Sequence, residues 1–180
     1  MSGSSADIGL VAFQGERGAF SEDAAVRFFG EVDTLPCPDF ESVFRAVDEG
    51  RASRAVVPVE NSVEGSVTAV NDLLLENDLV IVGEVMVKVA HCLIGRNSSG
   101  IDRIRRVYSH PQALGQCRRF LAKHPLWEKV PSFDTAGSVR MVRDRGLPDE
   151  AAIASRRAAE VYGMDILLEN IQDSDDNCTR

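Results

Sequence analysis

Short β-branched runs alternate with amphipathic helical stretches along the whole 180-residue chain, and this alternation limits the fold more than any other feature. Strands separated by helices pair in parallel through crossovers, and the helices then cover both faces of the sheet. Residues 8–13 read as the first buried strand. The glycine-punctuated loop Gln14-Gly15-Glu16-Arg17-Gly18-Ala19 follows, then a helix opening at Ser21-Glu22-Asp23 and ending at Gly30. Asp39 is placed to cap a second helix, where Phe40, Val43, Phe44 and Val47 recur at helical spacing before Gly50. Residues 55–59 predict a strand, 60–66 a polar loop, and Val67, Val70, Leu73 and Leu74 the apolar face of a third helix. The valine-rich stretch 79–94 reads as the longest strand-like run. After a turn-rich break at 95–100 the pattern resumes: a strand end at 107–109, and a helix from Pro111 carrying Leu114, Cys117 and Leu121. A strand at 130–133, a helix capped by Asp134, a strand at 151–154, a helix from Ser155 to Gly163 and a strand at 166–171 complete it. Two α/β halves are expected.

Charge narrows the partners. Twenty Lys and Arg against twenty-eight Asp and Glu give a net charge of −8, so the molecule as a whole does not attract phosphate backbones and nucleic acid is not an expected partner. Glu84 and Lys88 interrupt the longest apolar stretches, well short of the ~20 residues of a membrane span. Cys37, Cys92, Cys117 and Cys178 are scattered, and His91, His110 and His124 lack zinc-binding spacing, so no metal is expected. Residues 1–7 read as a small polar, disordered leader without the apolar core of a signal peptide. The cysteines are accordingly read as reduced thiols in a cytoplasmic protein, and the sequons at Asn97 and Asn177 as chance matches.

In open α/β sheets ligands bind outside the carboxyl ends of strands. Four polar loops fall at such ends: 14–21, 60–66, 109–112 and 134–138. Ser21, Ser66 and Thr135 stand near expected helix starts, where free N–H groups and the helix dipole favour an anion. The loop from Gly15 to Gly18 is no dinucleotide fingerprint, since it lacks the third glycine. Ser109 beside His110, and Cys92 beside His91, point to opposite faces of a strand and make no nucleophile–base couple. Glu60 with Glu64, and Asp173, Asp175 and Asp176, are available carboxylates, of the kind that mostly line solvated loops. Taken alone, these residues predict an α/β protein whose cleft binds a small anion.

Read as strings, the loops say more. Gly15-Glu16-Arg17-Gly18-Ala19-Phe20-Ser21 is followed by Val57-Pro58-Val59-Glu60-Asn61-Ser62-Val63-Glu64-Gly65 and by Ser109-His110-Pro111-Gln112-Ala113-Leu114-Gly115-Gln116-Cys117. Then come Asp134-Thr135-Ala136, Ile171-Gln172-Asp173 and Asn177-Cys178-Thr179-Arg180. In this order they resemble prephenate dehydratase, over residues 8–180. The resemblance implies a two-lobed α/β fold like the type II periplasmic binding proteins, with the active site in the interlobe cleft. Lobe 1 would comprise 8–82 plus the returning 172–180, and lobe 2 would comprise 83–171. The family's Thr-Arg-Phe motif stands here as Thr179-Arg180. The regulatory ACT domain that usually follows, and binds phenylalanine, is expected to be absent.

The implied activity is the decarboxylating dehydration of prephenate to phenylpyruvate in L-phenylalanine biosynthesis, a carbon–oxygen lyase reaction without a cofactor. Loss of carbon dioxide and water is driven by aromatisation, so the enzyme must orient the substrate and help its hydroxyl leave. By resemblance, Thr179 donates to the departing hydroxyl, and Asn61 and Gln116 orient and polarise the substrate. Ser21, Glu60, Ser62, Ser109 and Thr135 bind substrate, and Arg180 pairs with a carboxylate. The family also implies a homo-oligomer, dimer or higher, when full length. Two alternatives stay open: a two-lobed binding module without turnover, which would not need the Thr179 hydroxyl, and an arogenate dehydratase.

Overall fold

The computed structural model describes residues 9–96 and 100–180. The expected leader 1–7, the first residue of the first expected strand, and the sequon Asn97-Ser98-Ser99 lie outside the described residues. The chain divides into two compact units. Unit 1 comprises described residues 9–15 with Ser21–Val87 and Cys178–Arg180, and unit 2 comprises Glu16–Phe20 and Lys88–Asn177.

In unit 1, β1 (Val11–Gln14) runs parallel between β2 (Thr34–Cys37) and β3 (Arg54–Val56), with α1 (Phe20–Phe29) and α2 (Phe40–Asp48) in the crossovers. Val11, Ala12 and Phe13 are wholly buried, which explains why this central strand reads as an unbroken apolar run. Asp39 caps α2 by accepting the Ser42 N–H at 2.7 Å. The buried face of α2 sets Val43 and Ala46 against Ala12, Cys37 and Ala52. A second, small sheet follows: β4 (Glu60–Asn61) and β5 (Gly65–Ser66) form a hairpin, and α3 (Thr68–Glu76) comes after it. The sheet order is β5-β4-β12-β6, where β6 is Val87–Lys88 and β12 (Cys178–Thr179) is the last strand of the chain.

Unit 2 is built on β7 (Cys92–Gly95), β8 (Arg106–Ser109), β9 (Glu128–Pro131), β10 (Glu150–Ala154) and β11 (Asp165–Leu168), in the order β11-β7-β10-β8-β9. β8, β9 and β10 are parallel, and β7 is antiparallel to both its neighbours. Side chains alternate across the sheet. Ala152 and Ala154 of β10 pack with Ala136, Val139 and Val142 of α6 (Thr135–Arg145) and Ala158 of α7 (Arg156–Tyr162). Ala151 and Ile153 face Ala113 of α4 (Pro111–Gln116) and Leu121 of α5 (Arg118–Ala122). Glu150 is buried where β10 begins and is held by the Tyr108 hydroxyl at 2.8 Å, Arg106 at 3.3 Å and Arg145 at 3.4 Å. Paired in this way, a buried carboxylate is tolerated.

Both units contain a parallel β-α-β-α-β core of the same order, β2-β1-β3 in one and β9-β8-β10 in the other. The α/β class and the division into two units, expected of a type II periplasmic-binding-protein-like chain, are those of the structure. Several local expectations differ. The run 79–94 is not one strand: ladders form only at β6 and β7, and residues 79–86 lie in none. Val80, Ile81 and Val82 are 82%, 71% and 64% exposed, and β-branched residues make a strand only where a neighbour packs against them. The helix from Pro111 breaks at Cys117 into α4 and α5. Ser66 lies in β5 rather than at a helix start, and Ser21 lies inside the first turn of α1. No helix among the described residues is long and apolar enough to cross a membrane.

Candidate active site

The polar loop after β3 turns back on itself through an asparagine. Asn61 Oδ1 accepts the backbone N–H groups of Val63 at 2.9 Å and Glu64 at 3.0 Å, a turn in which the side chain stands in for backbone. Those two donors decide which way the amide faces. Its Nδ2 is thereby aimed at β12, where Thr179 sits opposite in antiparallel register, and donates to Thr179 Oγ1 at 2.8 Å. A hydroxyl that accepts from Asn61 turns its own proton away from it, and among the described residues that proton is donated to no group.

The surrounding residues fasten β12 to β4. The Ser62 N–H donates to the Cys178 carbonyl at 2.9 Å, and the Cys178 N–H donates to Ser62 Oγ at 3.0 Å. The Arg180 N–H donates to the Glu60 carbonyl at 2.8 Å. The Arg180 guanidinium lies 3.1 Å from Glu60 and 3.8 Å from Glu84, exposed pairs of little energetic weight that keep the cation over the hairpin.

Unit 2 carries its polar residues at the carboxyl ends of its parallel strands. Ser109 ends β8 fully buried, and its hydroxyl donates to the Ile153 carbonyl at 2.6 Å, tying β8 to β10. Gln116 ends α4, half-buried, with Oε1 2.8 Å from His91 Nε2. Burial holds His91 below its usual pKa, and the Gln116 bond opposes that shift. Next to it, burial pushes the Cys117 thiol up to about 12, making it a packing residue rather than a nucleophile. Thr135 opens α6 behind the Asp134 cap, which accepts the Gly137 N–H at 2.5 Å. The segment 16–20 is held close to α7. Ser155 Oγ donates to the Gly18 carbonyl at 2.6 Å and accepts the Ala158 N–H at 3.0 Å. Gly18 has φ +87°, and a Cβ there would lie 2.6 Å from Ala158 Cα, so only glycine fits.

The structure therefore gathers Glu60, Asn61, Ser62, Thr179 and Arg180 into one cluster in unit 1, although 118 positions separate Asn61 from Thr179. Ser21 belongs to the same unit but shares no hydrogen bond with them. Gln116, Ser109 and Thr135 lie in unit 2, with Ser109 committed to the sheet. Four residues were missed as part of these arrangements: Glu84, which supports Arg180; His91, on Gln116; and Gln172 with Asp173, which hold them. The His91 N–H donates to Gln172 Oε1 at 2.9 Å, and the Asp173 N–H donates to the Gln116 carbonyl at 2.7 Å. The available signals were the Ile171-Gln172-Asp173 string, which was given no role, and His91 itself, a histidine inside the apolar run 89–94. Among the described residues no group of three His, Cys, Asp or Glu is placed to hold a metal ion.

The sequence matches the family model for prephenate dehydratase over residues 11–180. It is 45% identical over 170 residues to an arogenate dehydratase/prephenate dehydratase of Arabidopsis thaliana, covering 94% of this chain and 44% of that protein. It is 41% identical over 171 residues to a bifunctional N-acyl-homoserine lactone acylase/prephenate dehydratase of Komagataeibacter europaeus, covering 95% and 60%. The chain thus spans about half the length of these relatives. The crystal structure of prephenate dehydratase from Arthrobacter aurescens, in complex with L-Phe, superposes with a TM-score of 0.84 at 32% identity, covering 94% of this chain and 58% of that one. The chain belongs to the prephenate dehydratase family.

Proposed function

We propose that this chain catalyses the decarboxylating dehydration of prephenate to phenylpyruvate, with Thr179, Asn61 and Gln116 in contact with the substrate. The observation that carries the reading is the 2.8 Å bond from Asn61 Nδ2 to Thr179 Oγ1, which leaves the threonine proton available to the group that departs. In the reaction the ring carboxylate loses carbon dioxide, and the released electron pair enters the ring. The C–O bond at the far side breaks, and the hydroxide leaves as water with a proton relayed through Thr179. Solvent replaces that proton. A threonine hydroxyl is a poor acid, so it acts as a positioned donor, an effect worth roughly 10²–10⁴ in rate.

Gln116 orients the substrate through its side-chain amide. Ser21, Glu60, Ser62, Thr135 and Arg180 contribute to binding, and Ser109 contributes through the β8–β10 junction that it ties. A homo-oligomeric enzyme of the cytoplasm, on the route to L-phenylalanine, belongs to the same reading.

Arogenate is the second reading, favoured by the name of the Arabidopsis thaliana relative, which carries both activities. The two substrates share the ring chemistry and differ in a keto group against an ammonium. Side-by-side rates with each substrate, followed by aromatic product, decide between them. A higher kcat/KM on prephenate is expected, a higher value on arogenate replaces the first reading with the second, and no turnover of either refutes both.

A further inference from the structure

His91 is 2% exposed, and its ring has two nitrogens to satisfy. Nε2 lies 2.8 Å from Gln116 Oε1, while Nδ1 has no hydrogen-bond partner among the described residues. Phe20 meets the ring at right angles, with centroids 5.6 Å apart. An amide oxygen only accepts, so Nε2 carries the proton and Nδ1 keeps a buried lone pair. The reverse arrangement, with the Gln116 NH₂ donating to a bare Nε2, would strand an N–H at Nδ1. Unpaired buried donors are rarer than unpaired acceptors. Desolvation holds His91 below the ordinary value of 6.5, which keeps the ring neutral at pH 7.

Both partners are clamped by one short segment. The Ile171 N–H donates to the His91 carbonyl at 3.0 Å, and Gln172 Oε1 accepts the His91 N–H at 2.9 Å. The Asp173 N–H donates to the Gln116 carbonyl at 2.7 Å, while Asp173 Oδ1 accepts the Arg119 N–H at 2.9 Å. The backbones at both ends of the His91–Gln116 bond are therefore fixed.

We infer that His91, as the Nε2–H tautomer, is a positioning residue that makes Gln116 a hydrogen-bond donor to the substrate. Its ring occupies the amide oxygen, so the Gln116 NH₂, which has no protein partner among the described residues, faces outward. Gln116 then donates to a substrate oxygen, as suits a dianion, and accepts nothing from it. This rests on the reading of Gln116 as a substrate contact.

The test combines nitrogen NMR on ¹⁵N-histidine-labelled protein with kinetics on prephenate. The expected His91 signals are a protonated Nε2 and a bare Nδ1, unchanged from about pH 8 to pH 7. A protonated Nδ1 at pH 7, as the other tautomer or as imidazolium, overturns the inference. In kinetics, His91→Phe keeps the ring volume but removes the donor. It should lower kcat roughly 10–100-fold with little change in KM, and His91→Gln, which restores an N–H, should recover most of the loss. Wild-type kcat in His91→Phe, or no recovery in a folded His91→Gln, overturns the inference. Gln116→Ala separates the two readings: an unchanged kcat there removes Gln116 as a substrate contact whatever the tautomer. Should His91→Phe not fold, the wild-type spectrum and His91→Gln still decide.

Discussion

Asn61→Asp changes one atom at the centre of the unit 1 cluster and should nearly abolish turnover without unfolding the chain. In the wild type, Oδ1 is held by the Val63 and Glu64 N–H groups, so Nδ2 must face Thr179. Aspartate keeps the first two bonds and places a carboxylate oxygen where the donor stood. The Thr179 hydroxyl must then donate to residue 61, and its proton is lost to the departing hydroxide. Losing a positioned donor costs a factor of roughly 10²–10⁴ in kcat, or about 2.7–5.4 kcal/mol in the barrier. Stability should change little. A neutral hydrogen bond worth ~0.5–1.5 kcal/mol is exchanged for a charge-assisted one worth ~1.5–3 kcal/mol, offset by desolvation of the new charge. The assay pairs phenylpyruvate formation from prephenate with urea unfolding of the same samples. Two backbone donors favour the ionised carboxylate, so recovery of rate, as residue 61 regains a proton to donate, is confined to acid. A neutral-pH kcat within about threefold of wild type, in a folded variant, would refute the claim that Asn61 directs the Thr179 proton.

Two further outcomes follow from unit 2. Gly18→Ala forces a side chain into φ +87° and against Ala158 Cα. It should cost about 2–3 kcal/mol and lower Tm by roughly 4–12 °C in calorimetry, whereas a shift below about 1 °C would contradict the close approach. His91 has a depressed pKa in the folded chain, so the unfolded chain binds the proton more readily. Its stabilising contribution is complete above about pH 6.5, falls as pH drops below that, and levels off under the depressed value, with a limiting slope of ~1.4 kcal/mol per pH unit. Urea titrations from about pH 7 to 5 should show stability falling more with acid in the wild type than in His91→Phe; identical slopes would contradict the buried neutral ring.

The architecture was legible because the core strands carry it. Val11, Ala12 and Phe13 in β1, and Ala151 to Ala154 in β10, are buried on both faces, and such strands read as continuous apolar runs. Asp39, Asp134 and Ser155 each announced a helix, and each accepts the N–H three residues on. Strand pattern misled where pairing was lacking, at Val80, Ile81 and Val82, because β-propensity describes a surface waiting for a neighbour. At the site, the Thr179 and Asn61 strings were visible but their bond was not, since no local pattern reports a contact across 118 positions. His91 escaped because a lone histidine in an apolar run looks like core until its partner is known. The Ser109 hydroxyl likewise gave no hint that it is spent on the Ile153 carbonyl.

The central claim is that the Thr179 hydroxyl assists the departing hydroxide, and the most direct measurement is kcat on prephenate for Thr179→Ser beside Thr179→Ala. Serine keeps the oxygen that accepts from Asn61 and the proton that it frees, whereas alanine removes both. Serine should retain a substantial fraction of the wild-type kcat, and alanine should lose roughly 10²–10⁴-fold with little change in KM. Equal kcat values for wild type and Thr179→Ala, with the fold intact, would contradict the account.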